Sequence, residues 1–213
     1  MSPFLCILLI ALLRDNVVGE PASFPQGVNV TAFEVYIPGL QKPVCFDLPL
    51  IPSKRYVLID IKTNNFEYRL VGKVGNQLIS NFTVYNNGSE STYVNGDVPY
   101  GQIYQSSMGD RLTVKAFTSP SGIRIVVAAG SGVSALGRVG GLLALSTQVR
   151  GKVIQKLTAG DGVMTSTIEM SAGPKLTTIQ SVLVKSLYEQ SCWYLSKKDV
   201  LLFGLNVNDF EVA

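Results

Sequence analysis

The sequence predicts an all-β protein, an antiparallel β-sandwich with a C-terminal extension. Between residues 30 and 170, apolar and polar side chains alternate with a period of two, as in strands that bury one face. Glycine, proline, asparagine and serine interrupt this alternation at short intervals, as turns between strands do. The span also lacks the strand–helix–strand spacing of a parallel α/β fold. Together these observations favour two antiparallel sheets packed face to face.

The composition is that of a protein with a full hydrophobic core. The chain has 213 residues, of which 46% are hydrophobic and 15% are charged. This length suits one domain of ordinary size with a modest extension. We divide the chain into a signal peptide (residues 1–19), the sandwich (residues 20–170) and an extension packed on it (residues 171–213).

The amino terminus has the features of a secretory signal. Residues 4–13 form an apolar run that ends at Arg14 and Asp15, and the run is too short to span a bilayer. Small residues follow, so the mature chain is expected to begin near Glu20, with Ala22 as a second candidate. The alternative is an uncleaved anchor, because no Lys or Arg precedes the apolar run.

Sequons and cysteines agree with export. Glycosylation sequons begin at Asn29, Asn81 and Asn87. Removal of the signal peptide would also remove Cys6, leaving Cys45 and Cys192 as a pair that an oxidising compartment could join. We therefore expect a secreted, extracellular glycoprotein that carries a disulfide and does not insert into membranes once the signal is cleaved.

Several functional classes are disfavoured. The chain has no histidine, which excludes Ser-His-Asp and Cys-His catalysis and removes the commonest metal ligand. No pair of acidic residues is placed as a hydrolytic pair would be. The net charge of +3 comes without a basic block, so nucleic acid is not an expected partner. We predict no catalytic residues, metal or cofactor, and the sequence does not determine the oligomeric state.

The first predicted strands are residues 30–37, 55–61, 66–70 and 78–85. In the last of these, alternation places one set of side chains on the core face: Leu78, Ser80, Phe82 and Val84. The other set faces outward: Ile79, Asn81, Thr83 and Tyr85. A long loop rich in Asn, Gly, Ser and Tyr is expected to follow.

The later strands are predicted by their turns. Residues 111–117 and 123–129 flank Ser119-Pro120-Ser121-Gly122, a strong hairpin signal, and residues 163–170 follow a Gly-Asp-Gly turn. Residues 130–151 are glycine-rich and predict a loop with a short strand or helix at 142–149. Their glycine spacing resembles a phosphate loop, but the required Lys and the following Ser or Thr are missing.

The segment beyond Pro174 has apolar runs of ambiguous period at residues 181–188 and 200–203. These runs predict added strands or helices that pack on the sandwich. The alternative is a mobile tail. It is disfavoured because exposing Trp193 together with many Leu and Val side chains would create an apolar patch.

The order of these segments resembles the galectin carbohydrate-recognition domain, a jelly-roll sandwich related to concanavalin-like lectins that binds β-galactosides without metal. The likeness covers residues 46–170. It rests on LPLIP at 48–52 with the strand that follows, FEYRL at 66–70 with ISNFTVY at 79–85, GDRL at 109–112 with its hairpin, and TSTIEM at 165–170.

The resemblance implies a set of ligand-binding residues. Galectins carry His, Asn and Arg at alternating positions of one strand, and this chain has Asn81, Thr83 and Tyr85 there. Where galectins stack a Trp on the sugar and follow it with a Glu, this chain has Tyr100 and Gln102. The implied function is a binding module for glycans or glycoproteins with divergent specificity.

Two alternatives stay open at this point. Asn81 is both a ligand-binding candidate and a sequon asparagine, so either it is unmodified or its sheet face binds no sugar. The chain is otherwise an extracellular structural or protein-interaction sandwich that has lost sugar binding, with the polar alternation forming an ordinary solvated face.

Overall fold

The computed structural model describes residues 33–76, 78–96, 101–109, 111–120, 122–130, 136, 139–158, 163–172, 174–185, 191–201 and 206–212. Fifteen strands lie in these residues. The first nine are β1 (Phe33–Tyr36), β2 (Val44–Phe46), β3 (Arg55–Lys62), β4 (Glu67–Val74), β5 (Ile79–Asn86), β6 (Ser89–Val94), β7 (Gln102–Ser107), β8 (Leu112–Ser119) and β9 (Gly122–Ala129).

The remaining strands are β10 (Val139–Gly140), β11 (Val149–Thr158), β12 (Met164–Ala172), β13 (Lys175–Lys185), β14 (Ser191–Leu195) and β15 (Glu211–Val212). Two short helices, α1 (Leu145–Gln148) and α2 (Lys197–Leu201), and a 3-10 helix at Val207–Phe210 complete the described elements. The prediction of an all-β fold is confirmed.

The strands form one continuous sheet that folds into two layers. The first layer contains β3, β4, β5 and β6 in antiparallel order, with β10 and β15 on the outer edge of β3. The second layer runs β7-β8-β9-β1-β2-β14-β13-β12-β11. Ile79 of β5 pairs with Ile123 of β9 where the two layers join. Two contacts are parallel, β1 with β9 and β14 with β2, so the sheet is mixed.

The core lies between the layers and includes an aromatic cluster. The rings of Phe82 and Tyr93 stack at 4.9 Å, and Tyr104 of β7 meets Phe82 edge-on at 5.6 Å. The hydroxyls of Tyr68 and Tyr104 lie 3.1 Å apart. Burial first, and then this hydrogen bond, raise the pKa of Tyr68 well above its ordinary value. The contacts show that β7 packs against the inner face of β4 and β5.

The region expected to be a long loop contains two strands, β6 and β7. β5 turns into β6 through Asn87 and Gly88, whose φ angles are both positive, at 47° and 83°. Asn-Gly is the favoured dipeptide for this two-residue hairpin turn. β6 was missed because its sequence, SESTYV, is polar and half of its residues are small.

One predicted side-chain direction is wrong. Lys73 pairs with Asn81, but Val74 pairs with Ile79, so β5 carries an irregularity around Ser80. Ile79 therefore turns inward and is fully buried, instead of facing solvent with Asn81. An extra residue of this kind reverses the alternation on one side of it, and a strict period of two does not reveal it.

The C-terminal segment belongs to the sheet. The boundary at residue 170 falls inside β12, and residues 171–213 supply β13 and β14 to the second layer. Cys45 of β2 is bonded to Cys192 of β14, and the neighbouring Trp193 is 2% exposed. The sequence did not distinguish strands from helices in this segment. The structure has strand β13 up to Lys185 and helix α2 at 197–201. Strand β11 was not predicted.

A buried ion pair joins two neighbouring strands of the second layer. Arg124 of β9 donates to the carboxylate of Glu34 on β1, and both side chains are almost completely buried. Since β1 lies parallel to β9, this pair ties together strands that are far apart in sequence.

Some predictions fall on residues outside the described ranges: the signal peptide, Cys6, Asn29, Tyr100 and the turn at 160–162. Among the helices of the described residues, none has both the length and the apolar character needed to cross a bilayer.

Candidate functional site

The outer face of the first layer carries two rows of side chains that cross the strands. In an antiparallel sheet, directly opposed residues point to the same face. The first row consists of Asp60, Arg69, Tyr85 and Glu90, one residue from each of β3 to β6. We call it the Asp60–Glu90 row. The second row contains Arg55, Lys73, Asn81 and Val94, and it lies four residues away on β4 to β6 and five on β3.

An ion pair fixes the first row at its β3 end. The Arg69 guanidinium donates from Nε to Oδ1 of Asp60 at 3.1 Å and from Nη2 to Oδ2 at 3.3 Å. The hydrogen bonding to Asp60 is the main reason that the pKa of Arg69 is raised. The two side chains are 44% and 36% exposed, so both can still contact a ligand. A planar, two-pronged pair of this kind holds its donors and acceptors in fixed directions.

The structure places Asn81, Thr83 and Tyr85 together on this outer face. Asn81 and Tyr85 are half-buried, and each belongs to one of the two rows. Thr83 lies between the rows and is only 8% exposed. Its hydroxyl lies 3.1 Å from that of Thr92 on β6. Asn81 and Tyr85 can therefore reach a ligand, whereas Thr83 mainly holds β5 and β6 together.

Gln102 is not brought to these residues. It belongs to β7, whose Tyr104 packs against the inner face of β5, on the other side of the sheet from Asn81. Its amide nitrogen donates to the side-chain oxygen of Gln105 at 3.1 Å. Tyr100, the other residue assigned to this part of the site, lies outside the described residues.

Arg69 and Lys73 were not predicted as site residues. Strand 78–85 by itself has no arginine at the position where galectins carry one. The neighbouring strand supplies an arginine instead, because Arg69 lies opposite Tyr85 and Lys73 opposite Asn81. The hairpin between β4 and β5 was the available signal, since its register brings these two residues of β4 to the same face as Asn81 and Tyr85.

A cleft of about 430 Å³ opens next to the Asp60 end of the first row. It lies where two short strands share the edge of β3: β15 pairs with Arg55 and Tyr56, and β10 pairs with Asp60 and Ile61. Besides Asp60, its lining includes Asp209, Phe210 and Glu211. The carboxylates can accept hydrogen bonds, and Phe210 adds an apolar ring surface.

The charges around this cleft are mostly balanced by close partners. Glu211 forms an ion pair with Lys54 at 2.6 Å, and Asp209 accepts a hydrogen bond from the amide of Asn206 at 2.9 Å. Among the described residues, no group of three or more His, Cys, Asp or Glu side chains is arranged to hold a metal ion. The arrangement suits a ligand that both donates and accepts hydrogen bonds.

The two described sequons occupy different positions. Asn87 lies at the exposed tip of the β5–β6 hairpin, and its Oδ1 accepts a hydrogen bond from the backbone N–H of Glu67 at 2.8 Å. Asn81 lies within a strand, between Lys73 and Val94. A glycan on Asn87 would extend from the end of the sheet, whereas one on Asn81 would cover the second row.

No protein-family model, no curated protein and no solved structure matches this chain.

Proposed function

We propose that this chain is a secreted carbohydrate-binding module that holds a neutral glycan across the outer face of β3 to β6. The observation that carries the proposal is the Asp60–Glu90 row, which opens into the cleft beside Asp60. Sugar hydroxyls both donate and accept hydrogen bonds, and this row offers charged donors and acceptors at fixed positions.

The charge balance of the Asp60–Glu90 row favours a neutral ligand. Along the row, Arg69 lies between Asp60 and the Tyr85–Glu90 pair, so positive and negative groups alternate across the strands. An anionic or cationic ligand would meet a like charge within the row, at a cost that a polyhydroxyl ligand does not have. Tyr85 supplies a ring on which the apolar face of a sugar can stack.

Each residue has a distinct role in this proposal. Asp60 and Arg69 bind hydroxyl groups, and Tyr85 stacks on a sugar ring. Asn81 exchanges hydrogen bonds with a second sugar, and Thr83 positions β5 against β6. Asn81 must then be free of a glycan of its own. The resemblance to galectins supports a sugar-binding sheet face, although the residues given roles here come from three strands and not from one.

The buried disulfide supports the proposed extracellular location, because such bonds persist in oxidising compartments. The exposed apolar side chains give no specific support to the protein-interaction alternative. Leu157 lies opposite Thr165, and Leu176 opposite Ser171, which places the two leucines about 20 Å apart along β12.

The test is binding of the secreted protein to an array of neutral glycans, followed by calorimetric titration of the best-bound oligosaccharide. We expect Arg69→Ala and Tyr85→Ala each to weaken binding roughly tenfold, as loss of a charge-assisted bond or a stacking contact does. Arg111→Ala, an exposed arginine before β8, is the control and should bind as the unaltered protein does. Absence of binding to every neutral glycan, or equal losses in all three variants, would refute the proposal.

A further inference from the structure

A second cleft, of about 420 Å³, lies between the loop that joins β1 to β2 and the edge strand β11. Its described lining includes three lysines: Lys42 from the loop, and Lys152 and Lys156 from β11. Gln41, Ile154 and Trp193 also contribute to its wall. We call it the lysine cleft. It lies in the second layer, whereas the Asp60–Glu90 row lies in the first.

Within the described ranges, the lysines of the cleft are not held in ion pairs with carboxylates. Among the described residues, none that lines it is acidic. In the part of the chain that the structure describes, none of its three lysines forms an ion pair, in contrast to Lys54 with Glu211 and Lys62 with Glu67. Glu169 lies directly opposite Lys152 on β12, but the two do not form an ion pair.

An irregularity in the edge strand β11 places Lys156 on the face of Val153, opposite to the face of Lys152, and both lysines line the cleft at this edge. Val153 pairs with Ile168 and Lys156 with Ser166, so Val153 and Lys156 share one face although they are three residues apart. The irregularity between Val153 and Gln155 makes this possible. In a regular strand, residues three apart would point to opposite faces.

The loop side of the cleft is held in place by backbone contacts. The N–H of Gly151 donates to the carbonyl of Pro38 at 3.0 Å, and that of Trp193 donates to Pro43 at 2.9 Å. Gly39 has a φ of +92°, and a Cβ there would collide with the carbonyl oxygen of Gly151. The disulfide between β2 and β14 secures the strands beneath. The backbone on this side of the cleft therefore needs little rearrangement when a ligand binds.

We propose that the lysine cleft binds the sulfate or carboxylate groups of an acidic saccharide. Its volume falls within the range of about 300–1,000 Å³ that is typical of small-ligand sites. It is concave, whereas a bilayer surface would require a flat or protruding basic face. Trp193 is 2% exposed, so it offers no platform on which nucleic-acid bases could stack.

The test uses a heparin-derived tetrasaccharide, with an unsulfated hyaluronan tetrasaccharide to separate sulfate from carboxylate recognition. We expect the triple variant Lys42→Gln, Lys152→Gln, Lys156→Gln to bind at least about tenfold more weakly, because charge-assisted bonds to the anion are lost. The control triple variant Arg111→Gln, Lys115→Gln, Lys198→Gln removes the same number of charges and should keep its affinity within about twofold, since its sites lie elsewhere.

Several outcomes would overturn the inference. The first is that neither tetrasaccharide binds, and the second is that both triple variants lose the same affinity. The third is that phosphatidylserine vesicles or a DNA oligonucleotide bind more tightly than the tetrasaccharides, and that the cleft variants abolish this binding. If the triple variant unfolds, the single variant Lys42→Glu replaces it. Its thermal midpoint should be unchanged and its tetrasaccharide binding should be weaker. Because Arg69→Ala should leave acidic-saccharide binding unchanged, failure of this proposal and failure of neutral-glycan binding can be told apart.

Discussion

Arg69 of β4 lies directly opposite Tyr85 of β5, on the sheet face that points to solvent. The same guanidinium makes a two-pronged ion pair with Asp60 of β3. Three strands that follow one another in the chain thus place an acid, a base and an aromatic ring side by side. This relationship is the basis of the proposed glycan site.

The shape of the Arg69 side chain, and not only its charge, should matter for binding. We predict that Arg69→Lys weakens neutral-glycan binding nearly as much as Arg69→Ala, because an ammonium group cannot reproduce the guanidinium fork. The free energy of unfolding should change by less than about 1 kcal/mol, as is usual for exposed ion pairs. Calorimetric titration and chemical denaturation measure the two effects. Full affinity in the lysine variant would show that only charge is used.

The disulfide should be a major source of stability. It closes a loop between residues that are 147 positions apart, and both cysteines are buried. We predict that Cys45→Ala with Cys192→Ala lowers the free energy of unfolding by about 2–5 kcal/mol. Urea denaturation measures the loss, and unfolding of the unaltered protein in reductant is the control. An unchanged urea midpoint would contradict this prediction.

The buried pair of Glu34 and Arg124 should show strong coupling. We predict that Glu34→Gln alone lowers the free energy of unfolding by about 3–5 kcal/mol, because it removes the negative charge that faces the buried guanidinium of Arg124. In the double variant Glu34→Gln, Arg124→Met, the loss of unfolding free energy should be clearly smaller than the sum of the losses in the two single variants. A double-mutant cycle in urea measures this coupling, and simple additivity would disprove it.

Tyr68 should make the protein sensitive to alkaline pH. Its pKa in the folded protein is raised above the ordinary value of 10.0, so above about pH 10 the unfolded chain releases a proton that the folded chain keeps. The unfolded state then binds fewer protons, and the free energy of unfolding falls as pH rises. We predict that Tyr68→Phe makes this decline shallower by up to about 1.4 kcal/mol per pH unit.

Denaturation series between pH 8 and 11 would measure this decline. Tyr36 and Tyr194, whose pKa values burial also raises, remain in the variant, so a reduced slope is expected and not a flat one. At neutral pH the free energy of unfolding of the variant should be only about 1 kcal/mol lower, because the hydrogen bond to Tyr104 is lost. An identical slope in both proteins would show that Tyr68 does not contribute.

The two sequons should differ in use. We predict that protein secreted from animal cells carries a glycan on Asn87, at the exposed hairpin tip, and none on Asn81, within a strand. Ser89→Ala removes the Asn87 sequon but keeps the Asn87 side chain, which accepts a hydrogen bond from the backbone N–H of Glu67. Peptide mass spectrometry measures the occupancy of both sites. Full occupancy of Asn81 would remove the second row from the proposed site.

The sequence predicted the layers better than the site. Strand β8 alternates regularly along most of its length, and its buried face carries the apolar residues Leu112, Val114 and Ala116, as alternation indicates. Strand β6 was missed because a polar, exposed strand lacks an apolar face, and only Asn87-Gly88 marked its turn. Ile79 was assigned to the wrong face because periodicity does not reveal an extra residue in a strand.

The site could be predicted only in part, for a related reason. Asn81, Thr83 and Tyr85 share a face because they alternate within one strand, which sequence shows directly. Asp60, Arg69 and Glu90 join Tyr85 through the registers of three strand pairs, and these depend on turns and irregularities that a single strand does not contain. Gln102 was assigned by its place in the chain, but β7 belongs to the other layer.

The most direct measurement is an NMR titration of the labelled protein with the neutral oligosaccharide that binds best on the array. We predict that the Nε–Hε resonance of Arg69 and the side-chain amide resonances of Asn81 shift together and saturate at the same ligand concentration. Resonances of β11 and β12 should stay in place. Shifts confined to β11 and β12, or an Arg69 resonance that does not move at saturation, would contradict the account.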